Sequence, residues 1–152
     1  MNTVEIKKGL QDLINRLFDA EKGYREIIKA TSIPTLKGWM KRYATERQSM
    51  REDLVEAYKK LGGSPEVSTT LIGDMHRAFI DIKVNGAWDN FESIVTEIER
   101  GASTLISDYE DTLKEVKMPA HLVTLLNDQK LLVENELRNL IQLKKDLASV
   151  EV

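Results

Sequence analysis

No cysteine occurs among the 152 residues, which excludes disulfides, thiolate-bound zinc, iron–sulfur clusters and a thiol nucleophile. Histidine is nearly as scarce, at two, so imidazole-based metal or acid–base chemistry has few positions to work from. Three prolines and eight glycines compare with about 18 such residues at average composition, and this shortage of breakers favours long helices. No run approaches the roughly 20 apolar residues of a membrane span. The opening Met1 to Lys8 carries Glu5, Lys7 and Lys8 with no apolar block behind them, so neither a membrane span nor a secretory signal is expected, and the cytoplasm is the expected location. A basic excess is also missing. With 22 Lys and Arg against 25 Asp and Glu the net charge is −3, which argues against nucleic acid as a partner, because that needs a basic face to displace counterions.

What is present suffices for a packed core and a solvated surface, with 41% hydrophobic and 31% charged residues, so residues 1–152 read as a single domain. Ser32-Ile33-Pro34, Leu61-Gly62-Gly63-Ser64-Pro65, Asn85-Gly86 and Lys117-Met118-Pro119 divide the chain. Each proline suits a first helical turn, and Gly62 and Gly86 suit the left-handed residue that ends a helix. Apolar residues stepping by threes and fours, such as Ile6, Leu10, Leu13 and Leu17, or Leu122, Leu125, Leu126, Leu132 and Val133, predict helices over about 4–32, 34–61, 88–117 and 119–149. The stripe of the last helix continues through Leu140, Ile141 and Leu147. Two short loops pair the helices antiparallel, and a shorter helix at about 67–84 climbs between parallel second and long third helices. The expected fold is all-α, a ferritin-like up-down-down-up four-helix bundle with one crossover helix.

Each stripe is interrupted by polar residues near its middle: Glu21, Glu46 with Arg47, Glu99, and Gln129 with Glu136. A buried carboxylate has to be paired, protonated or metal-bound. One reading makes Glu21, Glu46, Glu99 and Gln129 a hard, all-oxygen site for a divalent metal ion such as Mg, Ca or Mn. The pattern for a di-metal centre is broken, since Ser49 stands where Glu-x-x-His would place histidine on the second helix and Leu132 does so on the last. The preferred reading is that Glu21, Glu46, Arg47, Gln129 and Glu136 form salt bridges or lie on stripe edges, a network in which Arg47 supplies the positive charge and Glu21 compensates it. No cofactor is then expected. His76 or Arg77, in Met75 to Lys83 on the crossover, reads as an anchor that hydrogen-bonds across the crossover. An exposed His76 in a phosphotransfer bundle is a third reading, for which the rest of such a site is absent. Residues 34–61 hold seven basic and four acidic side chains, residues 88–117 three and eight, an asymmetry able to steer helix pairing or a charged partner.

Ala20-Glu21-Lys22-Gly23-Tyr24, Lys60-Leu61-Gly62-Gly63, His76-Arg77-Ala78-Phe79-Ile80-Asp81-Ile82-Lys83 and Glu97-Ile98-Glu99-Arg100-Gly101 running to Tyr109-Glu110 carry a resemblance. The chain resembles a bacterial family of ferritin-like four-helix bundles known only as a domain of unknown function. That resemblance implies a ferritin-like fold and no established reaction. Ala102 stands where family members often look to carry an acidic residue, one ligand fewer. The expected function is therefore a non-enzymatic bundle acting through self-association or a protein partner, ahead of a metal-binding relative with an incomplete carboxylate site and a His-dependent signalling bundle. Val84, Ala87, Trp88 and Phe91, with Leu71, Ile72 and Met75 on the crossover, add apolar surface that either the crossover buries against the bundle or a second chain covers, and of the two a homodimer is expected.

Overall fold

A computed structural model describes residues 2–67 and 90–150. They form four helices, α1 (Thr3–Ala30), α2 (Pro34–Lys60), α3 (Phe91–Glu115) and α4 (Ala120–Val150). Local chemistry sets their ends. The Asn2 side chain accepts from the Val4 and Glu5 amides at 3.0 and 3.2 Å and so caps α1. Asn90 does the same for α3, accepting from Ser93 at 3.0 Å, which is why that helix starts at Phe91 rather than at 88. Extended backbone at Thr31 and Val116 closes α1 and α3 ahead of Pro34 and Pro119. Beyond α2, Gly62 and Gly63 sit at φ +109° and +80°, where a side chain would strain the backbone.

Contacts between the helices give their directions. Gly9 lies against Thr112 and Val116 and Arg16 reaches Asp108 at 3.4 Å, so α1 and α3 are antiparallel. Gln129 donates to the Met50 carbonyl at 3.1 Å and Arg47 to Glu136 at 2.5 Å, so α2 and α4 are antiparallel too. With the short loops after α1 and α3, the order is up-down-down-up, and the chain has to travel the length of the bundle between parallel α2 and α3. At 1.5 Å per residue that is about 40 Å. The start of this connection is clamped: the Gln11 amide donates to the Glu66 carbonyl at 2.7 Å and accepts from the Glu66 amide at 3.0 Å. Apart from Val67, the expected crossover at 67–84, with His76 and Arg77, lies outside the described residues.

The interior has two apolar halves. One gathers around Leu10, Leu13, Leu17, Leu54, Leu105 and Leu126, the other around Ile27, Leu36, Met40, Ile94, Val95 and Leu140. Among the described side chains of α4, which end at Asp146 and so leave out Leu147, the buried positions are Leu122, Leu126, Gln129, Val133, Glu136 and Leu140, alternating steps of four and three as a bundle seam requires. That strict seam corrects the wider stripe expected for this helix. Leu132 and Ile141 fall on its flanks and remain 47% and 39% exposed.

Gly38 is a solvent-facing residue inside α2, and a Cβ there would meet nothing within 4 Å. Gly38→Ala should raise stability by about 0.5–1 kcal/mol by removing backbone freedom from the unfolded chain. Gly62→Ala should lower it by about 1 kcal/mol because of its positive φ. Opposite shifts of a few degrees in paired thermal melts are the expected result.

Candidate functional site

The middle of the bundle is polar. Arg47, on the α2 seam between Tyr43 and Met50, is 1% exposed, and its guanidinium sits 5.7 Å from the centre of the Tyr24 ring. One of its terminal nitrogens donates to Glu136 at 2.5 Å and the other approaches the Met50 sulfur at 3.6 Å. One turn-pair away on α4, Gln129 accepts the Tyr109 hydroxyl at 2.6 Å and donates to the Met50 carbonyl. These contacts form a belt between the two apolar halves, with α2 and α3 each reaching α4. Burial pushes the Tyr109 hydroxyl far above its ordinary pKa, against the opposing pull of Arg47. Tyr43, 6.0 Å from Tyr24 ring to ring, is raised by burial and by Tyr24.

The four residues expected as metal ligands go to separate networks. Glu21 pairs with Arg51 at 3.1 Å and Arg25 at 3.4 Å, and Arg51 also lies over the Phe18 ring. Glu46 turns toward Arg42 at 3.5 Å near the surface. Glu99 pairs with Lys144 at 3.7 Å, and Gln129 belongs to the tyrosine contact above. Among the described residues no group of three or more histidine, aspartate or glutamate side chains could hold a metal ion. Arg47 is buried and pairs with Glu136, not with Glu21. The correction follows from the seams, because Arg47 and Glu136 both point to the bundle axis while Glu21 lies on the side of α1 that faces Arg51. Tyr109 and Gln11 are polar anchors that the sequence does not mark. Tyr109 fits an apolar stripe equally well, and Gln11 has no sequence signal beyond standing next to one.

Some polar atoms in this interior have no hydrogen-bond partner among the described residues: Arg47 Nε, Glu136 Oε1, Glu99 Oε1 and Asp108 Oδ2. Asp108 lies at ion-pair distance from Arg16 without a hydrogen bond between them. Its carboxyl is raised by burial, with Arg16 opposing and Asp111 and Asp12 adding to the rise.

Fold and belt together define an all-helical four-helix bundle whose centre is closed by its own charged and polar side chains. The chain belongs to the family described as a domain of unknown function, DUF2383, which matches residues 5–115. The matched stretch takes in α1 and α2 and ends with the last residue of α3, while α4, the source of Glu136 and Gln129, lies beyond it. No curated protein matches the chain.

Proposed function

We propose that this protein is a non-enzymatic interaction module of ferritin-like architecture, located in the cytoplasm, that works by associating with a second copy of itself. The observation that carries the reading is the central belt. In carboxylate bundles of this architecture the interior holds the chemistry, whereas here a guanidinium stands in the seam and is met by Glu136 at 2.5 Å. A buried cation at that point repels a divalent ion, and the neighbouring glutamates already have cationic partners. No helix among the described residues is long and apolar enough to cross a membrane.

Light scattering on the purified chain at high micromolar concentration should give the mass of a dimer, and a monomer there would remove the self-association reading. A second expected result concerns metal. Addition of millimolar Mg or Mn should leave the melting temperature unchanged, since a ligand that binds only the folded state would raise it. A rise of several degrees that is abolished by Glu21→Gln or Glu99→Gln would instead support a metal-binding bundle.

A further inference from the structure

The bundle is built as two helical hairpins, α1–α2 and α3–α4, and the backbones approach each other most closely within these pairs. Across the seam between them the backbones come together most at α1 and α3, as where Gly9 meets Thr112; α4 reaches α2 through long side chains. Among the described residues the two cross-seam ion pairs have one polarity. Arg47 and Arg16 come from the first hairpin, Glu136 and Asp108 from the second. Sequence charge follows the same division. Residues 3–60 carry 13 basic and 9 acidic side chains, or +4, and residues 91–150 carry 7 and 11, or −4. Neither hairpin can bury its apolar face alone, and the charged side chains seen to meet across the seam, Arg16 and Arg47 against Asp108 and Glu136, are of opposite sign.

We infer that this seam is also the interface between copies: the α3–α4 hairpin of one chain docks on the α1–α2 hairpin of a second, and the reverse, giving a reciprocally exchanged dimer. This deepens the self-association reading and rests on it. Each exchanged half-dimer makes the same Arg47–Glu136, Tyr109–Gln129 and Gln129–Met50 contacts as the closed chain, so exchange needs no new surface. Opposite hairpin charges draw the halves of different chains together, an attraction that salt screens.

Two single charge reversals test the exchange. Arg47→Glu places two carboxylates in the belt, and Glu136→Arg two guanidinium groups, so each variant alone should melt on the order of 10 °C lower than the parent or fail to fold. Refolded together from denaturant, the two full-length variants should form a mixed dimer in which one seam pairs Glu with Arg and the other Arg with Glu. Its melting temperature should return to within a few degrees of the parent. A mixture that melts as the sum of its parts, or stays unfolded while the doubly reversed chain folds, overturns the exchange. A gentler measurement covers the case in which the reversed pair is not tolerated at all. Arg16→Lys, at a half-exposed position, places an amine beside Asp108 for zero-length carbodiimide crosslinking. After co-refolding of light and isotopically heavy chains, about half of the Lys–Asp108 crosslinks should join a light to a heavy peptide if dimers exchange at random. Crosslinks confined to light–light and heavy–heavy peptides overturn the proposal. Should the parent nevertheless have the mass of a dimer, copies associate through an outer face, and self-association stands without exchange. A monomer by mass removes both.

Discussion

Glu136→Leu should destabilise the protein by about 3–5 kcal/mol, because it strands the Arg47 guanidinium in the interior. The pair is almost wholly enclosed, with side chains 1% and 11% exposed, so water does little to screen the loss. Met50 and Tyr24 offer the stranded cation only a sulfur at 3.6 Å and a ring face at 5.7 Å, neither of which replaces a carboxylate. Arg47→Met should act in the same direction through an unpaired Glu136. The double substitution Arg47→Met with Glu136→Leu should recover most of the loss, and could exceed the parent, since apolar groups of similar volume remove both desolvation costs and two unpartnered buried atoms, Arg47 Nε and Glu136 Oε1. Chemical denaturation of the four proteins forms a closed cycle. Coupling below 1 kcal/mol between the two positions would show that the pair is not the centre of the belt. Glu46→Leu serves as the surface comparison, because its contact with Arg42 is exposed and should be worth well under 1 kcal/mol.

The hairpins were legible in the sequence because their signals are local. Pro34 and Pro119 mark helix starts, Gly62 supplies the left-handed backbone after α2, and steps of three and four name most of the buried residues. The up-down-down-up order followed from two short loops and one long connection. The interior pairing was not legible, because it depends on how helices rotate against one another, and a rotation of a fraction of a turn decides whether Glu21 or Glu136 meets Arg47. All the glutamates are plausible partners from spacing alone. Only the strict seam on α4 separates them, with Gln129 and Glu136 seven residues apart and both turned to the axis. The same rotation left Leu132 and Ile141 on the flanks and sent Glu21, Glu46 and Glu99 to separate cations instead of one common layer.

The belt also gives the protein an alkaline limit. Tyr109 is fully buried and its hydroxyl is held neutral by burial, well above its ordinary pKa of 10.0. A folded-state pKa raised above the unfolded value means that stability is complete below about pH 10 and declines as pH rises beyond it, because the unfolded chain can release a proton that the folded chain retains. Each pH unit above that point should remove about 1.4 kcal/mol from this one group. Tyr43 shifts in the same direction and should steepen the decline. Tyr109→Phe separates the contributions. At neutral pH it should cost about 1 kcal/mol, from the lost hydrogen bond to Gln129, and above pH 10 its melting temperature should fall more gently than the parent's, until the two curves cross. Tyrosinate absorbance near 295 nm supplies an independent readout, since in the parent one tyrosine should ionise only with the loss of helical circular dichroism. If Tyr109→Phe follows the parent's curve at a constant offset, the alkaline limit belongs to other groups, and the Tyr109 hydroxyl reaches water more readily than its place between Gln129 and Arg47 implies.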